Sequence, residues 1–360
     1  KKLPIKKKYL AMSLIKKKAL RSITYCEAIN EAITSQMKKN KNIVNFGIED
    51  KMFGSNDGLL EKFGNKRFFY TPLSEEMLTG FSLGLTLSGK IPIFNHIRVD
   101  FMLLGMNQLI NMISSYAFAS NNKVKVPMLI RAVIGRGWGQ GYQHSKSLQS
   151  IFAHIPGLKV IMPSRPYDAK GMISAALNDG NPIICLEHRW LYWQKGYVPK
   201  KDYFVKLDEP QIIRKGKDIT ILCLSWMNVE ACQAADYVKK FGVNCEVIDI
   251  RSLTNLKMKK IYDSIKKTKR CIIADYDWVK YGASAEISDY VYSKFHKKLK
   301  NPVKRIGFQF TPCPTSRDLE NQFYPNAKDI IKEISTIFKK KIPIKKLNLY
   351  SHEKKFKGPF

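Results

Sequence analysis

The chain has 360 residues, 44% of them hydrophobic, which is enough for two domains of ordinary size with a core each. A formal charge of +32 raises the question of nucleic acid, but the lysines are spread along the whole chain and no RNP-like, zinc-finger or basic-zipper pattern occurs, so no specific nucleic-acid partner is expected. No uncharged apolar run approaches a membrane span, and the seven cysteines (Cys26, Cys185, Cys223, Cys232, Cys245, Cys271, Cys313) lack CxxC or zinc-ligand spacing and read as free, buried thiols of a reducing, cytoplasmic compartment.

Residues 1–21 form a basic extension without the small-residue cleavage site of a secretory signal; the first acidic residue is Glu27, which leaves an organelle transit peptide open although Lys predominates over Arg and Ser. Thr24 and Glu27 then form a capping box ahead of Ala28, Ile29, Ala32, Ile33 and Met37, predicting an amphipathic helix. A strand over 42–48, a short helix at 59–63, a strand over 67–70 and a helix from Ser74 to about Ser88 follow. Strand 91–95, helix 101–118, strands 126–134 and 157–163, helix 167–178 and strand 182–188 complete an alternating pattern. Residues 197–216 are rich in Lys, Pro and Asp without periodicity and read as a linker, after which strands 218–225, 245–250, 270–276 and 302–308 alternate with helices 227–240, 257–266 and 284–295. The expected fold class is α/β, two domains each with a mainly parallel sheet flanked by helices: 22–200, a linker at 201–217, 218–338, and a loosely ordered or partner-bound basic tail at 339–360.

The loop Gly135-Arg-Gly-Trp-Gly-Gln-Gly141 follows a strand, but Gln140 stands where a dinucleotide fingerprint needs glycine and no P-loop pattern occurs, so it reads either as flexible backbone bordering a cavity or as a tight turn. In Thr71-Pro-Leu-Ser-Glu-Glu76, between strand and helix, Ser74 is placed to cap and Glu75 to sit in the first helical turn, where taken alone it would merely complement the helix dipole.

The chain resembles the beta subunits of pyruvate and branched-chain 2-oxoacid dehydrogenases through FGIED (46–50), KFGNKRFFYTPLSEEMLTGFSLG (62–84), the 99–111 stretch, VPMLIRAVIGRG (126–137), YQHSKSLQSIFAHIPGLKVIMPSRPYDAKG (142–171), NPIICLEH (181–188), VIDIRSLTNL (247–256) and GASAEI (282–287). The resemblance covers roughly residues 22–338 and implies a pyrimidine-binding domain followed by a transketolase C-terminal-like domain. It also implies thiamine diphosphate as cofactor, oxidative decarboxylation of a 2-oxoacid, and reductive acylation of lipoyl groups on an acyltransferase core.

By that resemblance Glu75 hydrogen-bonds the cofactor's pyrimidine ring nitrogen and so favours the form of the aminopyrimidine that removes the thiazolium proton. Phe101 stacks on the pyrimidine, Leu73 packs beside it, Glu49 belongs to the cavity wall, and His144 lies near the reacting group for proton transfer or for orienting lipoamide. Ala176, Leu177, Asp179 and Asn181 match a loop that in some family members holds a structural potassium ion, although a helix-ending turn at Gly180 explains it equally well. The family's diphosphate-and-magnesium motif is absent, since NDG at 56–58 and 178–180 lacks the initial glycine. The Mg site is therefore expected on an alpha subunit, in an α2β2 assembly.

The chain departs from the family pattern at Asn95-His96-Ile97-Arg98 and at Lys146. Either the added cations border the cavity and favour a substrate with a second anionic group, or they point outward. Two other readings stay open: the C-terminal half of a split transketolase or other carboligase, and a non-catalytic or nucleic-acid-associated protein exploiting the positive charge.

Overall fold

The computed structural model describes residues 21–48, 52–135 and 139–344. In the first half, strand β1 (Ser22–Thr24) leads to helix α1 (Tyr25–Lys39), β2 (Ile43–Gly47), α2 (Leu59–Phe63), β3 (Phe68–Tyr70), α3 (Glu75–Leu87), β4 (Ile91–His96), α4 (Val99–Met102), α5 (Ser114–Ala119), β5 (Met128–Ile134), α6 (Gln149–Ala153), β6 (Lys159–Ile161), α7 (Pro166–Ala176), β7 (Pro182–His188) and β8 (Lys195–Tyr197). The second half runs β9 (Gln211–Arg214), β10 (Ile219–Cys223), α8 (Met227–Lys239), β11 (Cys245–Asp249), α9 (Lys259–Thr268), β12 (Cys271–Trp278), α10 (Ala283–Phe295), β13 (Lys304–Phe308), α11 (Arg317–Phe323) and α12 (Ala327–Phe338).

Helix α1 starts where its cap predicts: Glu27 N donates to Thr24 Oγ1 at 3.2 Å, and Thr24 N donates back to Glu27 Oε2 at 2.6 Å. Its Ala28, Ile29, Ala32, Ile33 and Met37 face is buried. Strands β2 to β7 form one six-stranded sheet, in the order β3-β2-β4-β5-β7-β6, with every pairing parallel. Parallel strands need helical crossovers, and helices on both faces bury the sheet, which is why β5 and β7 are buried at all seven positions. A second sheet, β13-β12-β10-β11-β9, is parallel except for its antiparallel edge strand β9.

Four expectations change. Residues 101–118 are not one α-helix: α4 passes into a tight turn at Leu103–Gly105 and a wide π-type turn at Gln108–Ile113 before α5. Gly105 lies so close to α3 that a Cβ there would stand 2.4 Å from Thr79 Oγ1. The 197–216 interval, read as linker, contains β9, whose four residues are too few to show a period but complete the sheet edge. Helix α12 was not anticipated, although Asn326 and Asp329 form a capping box before buried Ile330, Ile331, Ile334 and Ile337. The tail is not loose where described: Ile342 is buried, Tyr237 Oη donates to Pro343 O at 2.6 Å, and Lys340 Nζ donates to Phe241 O at 2.7 Å. All seven cysteines are free thiols, five of them buried.

The two sheets meet along a polar seam. Gln149 Nε2 donates to Asp275 Oδ1 at 3.0 Å, Arg251 Nη1 to Asp168 Oδ1 at 2.8 Å, and Asn228 Nδ2 to Asp249 Oδ1 at 2.9 Å, while Ser164 Oγ donates to Asp249 Oδ2. Burial, helped by the neighbouring Asp168 charge, pushes the Asp249 carboxyl up from 3.8 to about 7. Burial also raises Asp275, with Asp277 adding to it. A raised acid keeps in the folded state a proton that the unfolded chain loses near pH 4. Stability contributed by Asp249 is therefore highest below about pH 4 and falls as pH rises to 7, by roughly 1.4 kcal/mol per pH unit at most. Urea unfolding of wild type and Asp249→Asn across pH 4.5–7.5 should show a flatter profile for the variant; parallel profiles would mean that Asp249 ionises as it does in the open chain.

Candidate active site

In a parallel α/β sheet the loops at the carboxyl ends of the strands gather ligands. Here those ends carry Glu75 after β3, Arg98 and Phe101 after β4, the Gly135 loop and His144 after β5, and Arg189 after β7. Glu75 is the first residue of α3, and it is 7% exposed. Ser74 makes no side-chain cap to the helix, contrary to expectation. No described side chain donates to the Glu75 carboxylate, although Thr79 Oγ1 donates to its backbone carbonyl at 2.6 Å. Thr79 lies against Gly105, and Gln108 Nε2 donates to Glu76 Oε1 at 3.2 Å, so the segment after β4 packs on α3.

Phe101 is exposed, at 36%, and its ring centroid lies 5.3 Å from that of His144 at an interplanar angle of 72°. His144 ends the turn Gly141–Gln143 and is half-buried. The second unit holds this turn: Tyr324 Oη donates to Ser145 O at 2.8 Å, and Thr315 packs so tightly on Gly141 that a Cβ there would sit 2.7 Å from Thr315 Oγ1. Leu73 is 74% exposed among the described residues. Glu49 lies outside the described residues.

The polar residues beneath the site were missed by sequence reasoning, because Arg131 sits inside an apolar strand. Arg131 is fully buried on β5 and uses all its N–H groups: Nε and Nη2 grip Glu187 of β7 at 2.7 and 2.9 Å, Nη1 reaches Asn95 Oδ1 and Asn56 Oδ1 at 3.1 and 3.2 Å, and Nη2 also reaches Ser55 Oγ at 2.8 Å. Asn95 Nδ2 in turn donates to Phe46 O of β2 at 2.9 Å. Among the departures from the family pattern, His96 is held neutral, its pKa lowered by burial to about 3. Arg98 does not point outward: it is 5% exposed and donates to Gln140 Oε1, which also accepts from Arg189 Nη1 at 3.1 Å. Lys146 Nζ pairs with Asp100 Oδ1 at 3.2 Å.

Of the four positions matched to a potassium loop, Asp179 has both carboxylate oxygens bound by Lys159 Nζ, at 2.6 and 2.9 Å, and Asn181 Nδ2 donates to Asp179 Oδ1 at 2.7 Å. The charged oxygens of the set are thus already matched by an ammonium. The turn accounts for the rest, with Leu177 N bonded to Ile173 O, Asp179 N to Ala176 O, and Gly180 at a φ of 86°. Among the described residues, no group of three or more His, Cys, Asp or Glu is placed to hold a metal. A cleft of about 440 Å³ opens on the seam between Lys159, Phe204 and Asn255, but none of Glu75, Phe101 and His144 lines it.

The six-stranded parallel sheet and the second α/β unit that follows it are each matched by a transketolase domain family. Residues 21–194 match the transketolase pyrimidine binding domain, and residues 208–330 the transketolase C-terminal domain. The chain is 33% identical over 318 residues to the acetoin:2,6-dichlorophenolindophenol oxidoreductase beta subunit of Cupriavidus necator, covering 84% of this chain and 94% of that one. It is also 33% identical over 315 residues to the chloroplastic pyruvate dehydrogenase E1 component subunit beta-4 of Oryza sativa subsp. japonica, with 86% and 79% covered. A mitochondrial pyruvate dehydrogenase E1 beta subunit from Ascaris suum is 32% identical over 322 residues, with 87% and 89% covered. A solved split-gene transketolase, described as an inactive beta4 tetramer, superposes with a TM-score of 0.72 over 88% of this chain and 98% of that one; at 19% identity it shares the fold. The chain belongs to the family of beta subunits of thiamine diphosphate-dependent dehydrogenases of the pyruvate dehydrogenase E1 type.

Truncating one partner of the buried pair strands the other charge, so Arg131→Met should cost about 3–5 kcal/mol in chemical denaturation, while the double change Arg131→Met/Glu187→Leu should recover part of that loss. A single-variant loss under 1 kcal/mol would show that the network does not hold the sheet.

Proposed function

We propose that the chain is the beta subunit of a pyruvate dehydrogenase-like 2-oxoacid dehydrogenase, supplying the pyrimidine half of a site completed by an alpha subunit. The observation that carries this reading is Glu75, 7% exposed at the start of α3 with no described side-chain donor to its carboxylate, at the same carboxyl-end face of the sheet as the Phe101–His144 pair. A carboxylate with no donor from its own chain is open to one from a ligand, and a protonated ring nitrogen is such a donor. When bound, thiamine diphosphate supplies the nucleophilic carbon for decarboxylation. Glu75 would hold the proton at the pyrimidine nitrogen, Phe101 and Leu73 would form the apolar wall for the ring, and His144 would move a proton at the acyl group or orient the lipoyl arm.

The partner has a surface to cover. Leu73, Met77 and Phe81 repeat every fourth residue along and just before α3 and are 74%, 56% and 40% exposed, with Leu104 at 59% beside them. Such a stripe is what an obligate subunit contact buries. The alpha subunit brings the diphosphate and Mg site in an α2β2 assembly, and the acyl group passes to a lipoyl-bearing acyltransferase core. We assign residues 22–200 to the pyrimidine-binding unit and 218–338, together with the edge strand β9, to the second unit. No described helix is long and apolar enough to cross a membrane, and relatives include chloroplastic and mitochondrial forms, so both cytoplasmic and organellar settings suit the chain. The Cupriavidus necator relative adds acetoin to the substrates worth testing.

Glu75→Gln keeps the shape and removes the charge. In a complex reconstituted with the alpha subunit, thiazolium proton exchange and decarboxylation should both fall at least roughly 10²-fold, with folding altered by no more than about 1 kcal/mol. Normal exchange in an intact complex would remove Glu75 from the mechanism.

A further inference from the structure

We infer that Arg98 and Arg189 form a clamp for a second anionic group on the substrate, distant from its reacting carbonyl, with the Gln140 carboxamide oxygen standing where that group sits. The inference rests on the functional reading above. Strands β4 and β7 flank β5 on either side, so the residues that follow their ends straddle the loop that leaves β5. Arg98 is the residue before α4 and Arg189 directly follows β7; both side chains turn inward, at 5% and 6% exposure, and both donate to the same Gln140 Oε1. The Arg189 guanidinium also lies 5.2 Å over the Phe53 ring, which fixes its plane. Gln140 immediately precedes the turn Gly141–Gln143 that delivers His144. The two cations are therefore one short turn from the proposed reacting group.

Two guanidinium groups converging on one acceptor form a fork that suits a carboxylate or phosphate better than a neutral amide, since each charged pair is stronger and bidentate. Lys146, on the far side of His144, keeps its ammonium on Asp100 and the Tyr142 carbonyl, and so adds positive charge nearby without entering the clamp. A substrate anion displaces the Gln140 side chain, whose neutral oxygen is a weaker acceptor for a guanidinium than a carboxylate or phosphate. The substrate class so defined is a 2-oxoacid bearing a distal carboxylate or phosphate. No covalent step involves the clamp, and its two arginines act on substrate choice alone.

The test uses the complex with the alpha subunit and an artificial electron acceptor, comparing 2-oxoglutarate with the equally long 2-oxopentanoate, a phosphonate-bearing oxoacid and acetoin. A carboxylate clamp favours 2-oxoglutarate and a phosphate clamp the phosphonate, in either case by at least roughly 10²-fold in kcat/KM over 2-oxopentanoate, within the discrimination that a hydrogen-bonding pocket sustains. Arg98→Met and Arg189→Met should remove that preference, mainly through KM, the kcat/KM ratio of the dianionic substrate to 2-oxopentanoate falling to within about threefold of 1; Arg98→Lys and Arg189→Lys, which keep the charge but lose the fork, should fall between. Equal use of 2-oxopentanoate and the dianionic substrates by wild type, or equal losses for both in the variants, would overturn the clamp. If no oxoacid is turned over, the dehydrogenase reading fails, and calorimetry still decides the clamp: glutarate binding that exceeds pentanoate binding and vanishes in Arg98→Met supports it, and indistinguishable binding refutes it.

Discussion

The site depends on one buried ion pair. Arg131 and Glu187 stand side by side on adjacent central strands, both with fully buried side chains, and the guanidinium spends its remaining donors on Asn95, Asn56 and Ser55. An isolated pair of this kind contributes little net stability because desolvation offsets its attraction. Its value lies in geometry: with every donor matched, there is one low-energy way to place the end of β4, the 55–56 loop and the β7 terminus relative to one another. Arg98 and Arg189 leave from two of those elements. Loss of the network would therefore blur the strand ends before it unfolded the sheet.

The second unit acts on the site from a distance, through the loop after β5. Tyr324 holds the Ser145 carbonyl, Thr315 presses on Gly141, and Gln149 at the start of α6 is pinned to Asp275 of β12. A turn rich in glycine has little stiffness of its own. The stiffness comes from outside, so His144 keeps its place against Phe101 only while the two units stay docked. The buried carboxyls of the seam tie that docking to pH.

Much of this was legible in the sequence, for physical reasons that differ by element. Thr24 and Glu27 announce a helix because a capping box is a local interaction, and continuous apolar runs such as 182–188 announce parallel strands because both faces are covered. Glu75 was visible as a helix-starting acid, but its significance came only with the surrounding motifs, since a dipole-complementing glutamate has the same local signature. Arg131 was hidden, because nothing in an apolar strand says that its one cation will meet Glu187, 56 positions later. The break of the 101–118 helix was hidden for a similar reason: it is shaped by Gly105 closing on Thr79, a tertiary contact. Strand β9 escaped because four residues carry no period, whereas α12 had a readable cap and an isoleucine stripe that reasoning passed over.

The central claim is that this chain carries half of a cofactor site. Leu73 and the stripe along α3 are exposed among the described residues, and the diphosphate-and-magnesium motif is missing from the sequence. Calorimetric titration of thiamine diphosphate with magnesium, into the purified chain alone and then into the chain mixed with its alpha subunit, tests this most directly. The account predicts no measurable binding to the chain alone and tight, saturable binding to the mixture; tight binding and 2-oxoacid turnover by the chain alone would contradict it.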